Sequence, residues 1–409
     1  MLFYLKLGIR NILKNRRRSL VTILAIAFGF LSINLFAGYV KNIRMGLSEQ
    51  AIRGERLGHL TVAKKGFFTE GKIAPEKYLF TEEEAKKIIT IMKADSQVEA
   101  VTPRLNLSGL VSNGKVSTIF LAEGLVPDDT RLFQESFRQT PKGVLDPKKP
   151  FAGSVSSDLA KLLNLKIGDS AVLLTATVDG LTNALDIEVG EIYNTGTAAT
   201  NDKFLLLPFK FTQQLFDTEG ADRLTVLLKD RSDTEPAVQR LTQKLADAGF
   251  AVEIKTWVEL SAFYQQVVGM FTMIFLFIFV IVSAIVIMGI INTMTMAVIE
   301  RTREIGTLRS IGMKRGKIVW LFSLEGTLLS LLGCGIGLPL IFLISQGINQ
   351  AGIVYIPPDS SELVPLLIDL DFLRMGQSFL VLVLLTTVSA LVPARSASRI
   401  KIVDALGHV

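Results

Sequence analysis

The stretch that decides the fold is ERTREIGTLRSIGMKRGK, residues 300–317, which lies between two long apolar runs. It carries six Lys or Arg residues against two Glu residues. Its apolar residues Ile305, Leu308 and Ile311 recur every three positions, so we predict that they share one helical face. A short basic amphipathic helix between two membrane spans is expected to lie flat on the cytoplasmic surface, where a partner could push on it.

Composition and charge point to a membrane protein with a large domain outside the bilayer. The chain has 409 residues, 49% hydrophobic and 20% charged. Residues 1–18, 300–317 and 395–409 carry net charges of +6, +4 and +2, while the whole chain carries +6, so the remainder is net acidic. This asymmetry is typical of cytoplasmic segments of a membrane protein and excludes a nucleic-acid-binding function. One cysteine and two histidines predict neither an internal disulfide framework nor a His/Cys metal site.

Uncharged runs predict four transmembrane helices, at 19–41, 266–299, 318–348 and 372–394. Residues 1–18 predict a cytoplasmic interfacial helix, and its basic residues are interpreted as membrane anchors that contact inner-leaflet lipids: Lys6, Arg10, Lys14, Arg17 and Arg18. The loop 349–371 carries acidic residues and no Lys or Arg, so we expect it on the extracytoplasmic side. The tail 395–409 is net basic, so we expect it on the cytoplasmic side. Both termini of this multi-pass protein are then cytoplasmic.

The region 42–265 alternates helix and strand patterns and contains no run long enough to span, so it predicts a large α+β extracytoplasmic domain between the first two spans. Thr81 with Glu84 predicts a capping box that opens a helix. The uncharged run 260–299 predicts one continuous helix that leaves this domain as a stalk and then crosses the bilayer. The domain's one histidine, His59, precedes a strand-like run and is interpreted as structural.

One stretch imitates a phosphate-binding loop, with Gly66 and Gly71 followed by Lys72. Ile73 stands where a Mg²⁺-binding Ser or Thr is required, and Pro75 interrupts the helix that would hold the phosphate. We therefore predict no catalytic, cofactor-binding or metal-binding residues in this sequence.

Small residues in the third span predict close helix packing, within the subunit or across a dimer. They form two series at four-residue spacing, one of Gly326, Ser330 and Cys334 and the other of Gly333 and Gly337. Glu325 is the one acid of this span, and the sequence leaves two roles open: helix packing or coupling, and a proton relay.

The segment ERTREIGTLRSIGM resembles the cytoplasmic coupling helix of the MacB/FtsX/LolC-E permeases, the membrane subunits of ABC transporters that work with a separate or fused ATPase. The resemblance covers the layout of the whole chain and implies a two-lobed ectodomain, with an inserted lobe at about 107–203. It implies that residues 300–317 contact the ATPase, through Glu300, Arg301, Arg303, Glu304, Ile305, Leu308, Arg309, Ile311 and Met313. It also implies a separate ATPase that binds ATP and Mg²⁺, and a second permease subunit in a homodimer or heterodimer.

Three ectodomain segments resemble the LolC-E type: EGLVPDD (123–129), DLAKLLNLKIGDSAVLL (158–174) and EIYNTGTAATNDKFLLLP (191–208). The segment ERTREIG looks more like MacB. By resemblance to a projecting hairpin of LolC, the candidate surface for a periplasmic carrier or adaptor is Val178, Asp179, Gly180 and Leu181. We expect release of lipoproteins or other lipid-linked cargo. The alternatives are MacB-like efflux with an adaptor and outer-membrane channel, FtsX-like regulation of a cell-wall hydrolase, and a membrane-anchored sensor or scaffold without an ATPase.

Overall fold

The structure, a computed structural model, describes residues 10–14, 16–71, 73–134, 143–356 and 363–406. The chain divides into two compact units. The membrane unit comprises Met1–Arg44, Val267–Val354 and Pro365–Val409, and the α/β unit comprises Met45–Gln266 and Tyr355–Val364.

The helices and strands are numbered along the chain. The helices are α1 (Arg16–Glu49), α2 (Phe67–Glu70), α3 (Pro75–Tyr78), α4 (Glu82–Lys93), α5 (Pro127–Gln134), α6 (Ser157–Leu162), α7 (Ala198–Asn201), α8 (Phe209–Phe216), α9 (Thr234–Asp247), α10 (Trp257–Leu260), α11 (Ala262–Glu300), α12 (Thr302–Ser310), α13 (Arg315–Gln350), α14 (Phe372–Arg399) and α15 (Ile402–Leu406). The strands are β1 (Leu60–Lys64), β2 (Val98–Ser112), β3 (Ser117–Leu125), β4 (Ala152–Ser156), β5 (Ser170–Ala176), β6 (Thr182–Tyr193), β7 (Phe204–Pro208), β8 (Arg223–Leu228), β9 (Val252–Thr256), β10 (Val354–Tyr355) and β11 (Val364–Pro365).

Four helices are long and apolar enough to cross a membrane: α1, α11, α13 and α14. The predicted class, four membrane helices with a large domain of helices and strands between the first two, is confirmed. The continuous helix predicted over 260–299 is also confirmed, because α11 is one helix of 39 residues, about 58 Å long at 1.5 Å per residue. In the membrane unit these helices enclose an apolar core that includes Ile26, Phe30, Ile290 and Leu382.

The α/β unit contains one nine-stranded sheet with the order β3-β7-β4-β6-β5-β2-β8-β1-β9, in which β2 also pairs with β3. Six strands therefore close on themselves as a small barrel, β2-β3-β7-β4-β6-β5, because β2 pairs with both β3 and β5. The remaining strands β8, β1 and β9 extend the first half of β2 as an antiparallel sheet. β2 changes partners at Arg104, which pairs with Arg223 of β8 and with Leu125 of β3.

Each half of the sheet has a core of its own. The barrel encloses one core, with Phe120, Leu173 and Leu205 fully buried. Helices α4 and α9 contribute to the other, which includes Ile88 of α4 and Leu241 of α9. The barrel core also takes side chains that follow the predicted inserted lobe of about 107–203, from Leu205 to Leu215. The predicted capping box is present, with Glu84 N–H donating to the Thr81 hydroxyl at 3.2 Å.

Candidate functional site

The basic stretch at the centre of the sequence folds as the nine-residue helix α12 between α11 and α13. Arg301 separates α11 from α12 because its backbone leaves the helical region, at φ −114° and ψ 13°. The hydroxyl of Thr302 donates a hydrogen bond to the carbonyl of Val298 at 3.0 Å. A single non-helical residue therefore joins α12 to the long helix α11.

The other end of α12 is a Schellman motif. The amide of Gly312 donates to the Arg309 carbonyl, and the amide of Met313 donates to the Leu308 carbonyl, both at 3.0 Å. Gly312 has φ +98°, a conformation that glycine adopts without steric cost. The turn reverses the chain into α13.

The buried face of α12 is narrower than the predicted apolar stripe. Ile305 is buried at 3% exposure and Leu308 is half-buried, whereas Ile311 is 78% exposed because the helix ends at Ser310. Ile305 and Leu308 therefore lie within α12, whereas Ile311, the third residue of the predicted stripe, lies one residue beyond its end. Arg303 and Glu304 are also exposed, so α12 presents a mixed apolar and charged surface.

A buried ion pair fixes the junction between α11 and α12. Arg301 Nη1 lies 3.1 Å from Glu325 Oε2 of α13, and the two residues are 6% and 4% exposed. The side-chain amide of Asn11 donates to the same carboxylate at 3.5 Å, and Arg301 Nη2 donates to the Asn11 carbonyl at 3.5 Å. This partner set supports a packing role for Glu325, because a proton relay requires further titratable groups at depth.

Basic residues near the amino terminus pair with acids at the same junction. Arg18 Nη2 lies 2.8 Å from Glu300 Oε1, and Lys14 Nζ lies 3.7 Å from Glu304 Oε1. The second pair is largely exposed, and such pairs contribute little stability. Sequence reasoning missed both pairs, since it interpreted these basic side chains as lipid anchors. Of the other proposed anchors, Arg10 and Arg17 are exposed, while Lys6 lies outside the described residues.

The carboxyl-terminal segment also holds α12. Arg309 Nη1 donates a hydrogen bond to the carbonyl of Ile400, directly after α14. Ala405 of α15 is buried at 1% exposure. Among the described residues, α12 is therefore tied to α11, α13, α14 and segment 10–14, while its residues Arg303 and Glu304 stay exposed.

The small residues of α13 make contacts within the chain. A Cβ atom at Gly333 would lie 2.7 Å from Ile26 Cβ of α1, and one at Gly337 would lie 3.1 Å from the Ala27 carbonyl. One at Gly326 would lie 2.7 Å from the Cβ atom of Ala390 on α14. The remaining two predicted packing residues, Ser330 and Cys334, are buried at 0% and 2% exposure. These glycines permit close approach of α13 to two neighbours.

The candidate partner hairpin forms between β5 and β6. Thr177 N–H donates to the Leu181 carbonyl at 2.6 Å, and Gly180 has φ +80°. Leu181 is 68% exposed at the turn, and Asp179 and Gly180 are exposed too. Val178 N–H donates to the carbonyl of Phe216 at 2.9 Å, which anchors one side of the turn to α8.

A buried charge cluster lies where β2 changes partners. Glu123 Oε2 accepts from Arg56 at 3.0 Å and Glu123 Oε1 from Arg223 at 3.4 Å. Arg104 is 1% exposed, and its guanidinium lies 4.6 Å from the ring centre of Phe133. The alternating strand pattern gave no signal for these buried charges.

His59 is structural, as predicted. Its Nδ1 accepts a hydrogen bond from Leu228 N–H at 3.0 Å, and the residue is 5% exposed. Burial, with help from the nearby charges of Arg53 and Arg231, lowers the pKa of His59 to about 4. Within the described residues, no group of three His, Cys, Asp or Glu side chains could hold a metal. Lys72 of the rejected phosphate loop lies outside the described residues.

Two family models match the chain and together cover both units. The model described as the MacB-like periplasmic core domain matches residues 19–244, and the model described as the FtsX-like permease C-terminal domain matches residues 274–402. The second match includes the whole of α12 and its contacts with α13 and α14.

Individual relatives agree with these matches. The ABC transporter permease YtrF of Bacillus subtilis is 38% identical over 115 residues, 28% of this chain and 26% of the relative. The macrolide export ATP-binding/permease protein MacB of Salmonella typhimurium is 24% identical over 314 residues, 76% of this chain and 47% of the relative. An ABC transporter permease of Methanocaldococcus jannaschii is 23% identical over 350 residues, 83% of each chain. The chain thus spans about a quarter of YtrF and about half of MacB.

Proposed function

Because the chain belongs to the MacB/FtsX family of ABC transporter permeases, we propose that it is the membrane subunit of a transporter whose ATPase is a separate chain. A second permease subunit and the ATPase complete the complex, and the ATPase binds ATP and Mg²⁺. In this proposal the α/β unit lies outside the cytoplasm of a bacterial cell, and both termini and α12 lie inside it.

The observation that carries this proposal is the way in which α12 is held. Its inner face is fixed by the buried Arg301–Glu325 pair and by the bond from Arg309 to Ile400, while Arg303, Glu304 and Ile311 stay exposed. An exposed surface on a firmly tied helix suits a docking element for a motor protein, because a force on it is not dissipated by movement of the helix alone. In this proposal the exposed residues of α12 bind the ATPase, and its buried residues transmit the movement to the neighbouring helices.

The long helix α11 suits the transmission step. It begins at Ala262, within the α/β unit, and ends at Glu300, one residue before α12. An unbroken helix is stiff over this length, since each turn is closed by backbone hydrogen bonds. We propose that closure of the ATPase moves α12 and that α11 carries this movement to the α/β unit, which acts on the cargo.

For the cargo, we propose lipoproteins or other lipid-linked molecules that are released from the membrane to a periplasmic carrier. The resemblance of segments 123–129, 158–174 and 191–208 to the LolC-E type supports this choice. The turn at 178–181 supports it as well, because the exposed Leu181 beside Asp179 and Gly180 offers an apolar contact for such a carrier.

The second candidate is efflux of a small molecule with an adaptor and an outer-membrane channel. The similarity to MacB over 76% of the chain favours it, since that relative is described as a macrolide exporter. An FtsX-like regulator of a cell-wall hydrolase is the remaining alternative within the family.

Reconstitution distinguishes these functions. The chain is purified with the ATPase that co-purifies with it, and the complex is placed in liposomes that carry a triacylated lipoprotein. We expect ATP to release the lipoprotein to a soluble carrier, and Leu181→Asp to reduce that release with ATP hydrolysis intact. Failure of release, together with restored macrolide resistance in efflux-deficient cells, would refute the cargo and favour efflux. Absence of any co-purifying ATPase would refute the permease function itself.

A further inference from the structure

The membrane unit contains a groove where α11 and α14 end beside α12. Its volume is about 540 Å³. One wall is formed by Thr295, Ile299 and Thr302, and the other by Val392, Pro393 and Ser396. Ile299 is 51% exposed and Val392 is 62% exposed, so the groove is open along its side.

The threonine hydroxyl groups in the walls are already hydrogen-bonded to the backbone, so the walls present a mainly apolar surface to a ligand. The hydroxyl of Thr295 donates to the Ile291 carbonyl at 2.7 Å, and that of Thr302 donates to the Val298 carbonyl at 3.0 Å. Both hydroxyl protons are therefore used by nearby backbone carbonyls. From Thr295 to Ile299 the wall extends about 6 Å along α11 at 1.5 Å per residue, enough for part of one acyl chain.

Basic residues adjoin the lining residues Ser396 and Ile400 in sequence. On α14, Val392, Ser396 and Arg399 lie on one helical face, since they are four and three residues apart. Arg399, its neighbour Arg395 and Lys401 are exposed, and within the described residues none of them forms an ion pair. Basic pockets between membrane helices bind the head groups of anionic lipids.

We propose that this groove binds an anionic phospholipid, with its phosphate at Arg399 and Arg395 and one acyl chain between Ile299 and Val392. The site lies on the cytoplasmic leaflet if the proposed topology holds. Thr302 begins α12, and the carbonyl of Ile400, another residue of the groove, accepts the bond from Arg309. The lipid therefore contacts two of the points at which α12 is tied to its neighbours.

Lipid retention on the full chain tests the proposal independently of transport. Native mass spectrometry of the detergent-purified chain, with added phosphatidylglycerol or phosphatidylcholine, measures bound lipid. We expect retention of phosphatidylglycerol in preference to phosphatidylcholine, and Arg399→Gln to weaken it about fivefold, since one basic residue near the surface contributes about that factor. Ser396→Phe should abolish it by filling the groove, and Arg399→Lys should restore most of it.

Two control variants test whether the loss of lipid retention is specific to the groove. Arg315→Gln removes an exposed charge at the start of α13, and Leu384→Phe enlarges an exposed side chain elsewhere on α14. Both variants should retain phosphatidylglycerol like the unchanged chain. Equal retention by all variants, or equal binding of the two lipids, would overturn the proposal. So would disulfide formation between two copies that carry Val392→Cys and Cys334→Ala, because a second copy would then cover the groove.

Discussion

The buried pair between Arg301 and Glu325 gives the sharpest test of how α12 is held. Replacing Arg301 with Met leaves the carboxylate of Glu325 buried at 4% exposure with only the weak 3.5 Å bond from Asn11. Glu325→Leu likewise leaves the guanidinium of Arg301 buried without its carboxylate partner. The double variant leaves no uncompensated charge and keeps a similar side-chain volume.

The expected size of the effect follows from this burial. Removing one partner of a buried ion pair costs about 3–5 kcal/mol, whereas replacing both with apolar residues is often close to neutral. A loss of 1 kcal/mol lowers the melting temperature by about 2–4 °C for a domain of 150–250 residues. Each single variant should therefore melt roughly 6–20 °C lower than the unchanged chain, and the double variant should recover most of that loss.

The assay is thermal unfolding of the purified full chain in one detergent at a fixed pH. Arg303→Met is the matched control, because Arg303 is an exposed arginine two positions away with the same change in side chain. An exposed substitution of this kind should change stability by about 0.5 kcal/mol or less. If the two single variants melt like this control, or if their losses add in the double variant, the pair does not hold the junction and the reasoning is refuted.

Three further predictions concern other parts of the chain. Charge reversal by Arg303→Glu or Glu304→Lys, both on the exposed surface of α12, should lower ATP-driven transport while membrane insertion persists, and full transport by the doubly reversed chain would contradict the ATPase contact. Gly333→Ala should destabilise the chain by about 1–3 kcal/mol through overpacking, whereas Gly335→Ala, with open space at its Cβ position, should not, as thermal unfolding will measure. His59 remains neutral in the folded state because its pKa is lowered to about 4. This shift contributes about 3 kcal/mol to the free energy of unfolding above pH 6.5, and the contribution is lost as the pH falls to about 4. The free energy of unfolding, measured with denaturant at pH 7 and at pH 4.5, should show this loss. His59→Asn should make the difference between the two pH values smaller, and an unchanged difference would contradict the assignment.

The spans and the short helix could be predicted from the sequence because their signals are local. Long uncharged runs define α1, α11, α13 and α14, and the apolar repeat at Ile305 and Leu308 indicates α12. The capping box at Thr81 needs only four residues of sequence. A repeat of three residues does not show where a helix stops, so the predicted stripe included Ile311, which lies one residue beyond α12.

The partners of α12 could not be predicted because they come from distant positions. Glu325 is 24 residues from Arg301, and Arg18 is 282 residues from Glu300. A single sequence contains no information on covariation between positions, so it does not show which basic residue pairs with which acid. The closure of the barrel was hidden for the same reason, since each strand pattern is compatible with several sheet orders.

The change of partners along β2 has a consequence for how the α/β unit can be altered. Arg104 and Arg223 face each other across adjacent antiparallel strands, and the Asp222 amide donates to the Arg104 carbonyl at 3.0 Å. The chain therefore enters and leaves the barrel at neighbouring positions, which a two-residue hairpin turn can bridge. Because the other half keeps its own core, we expect a chain with 105–222 replaced by such a turn to keep that core only if Arg56, Arg104 and Arg223, which would lose Glu123, are replaced as well.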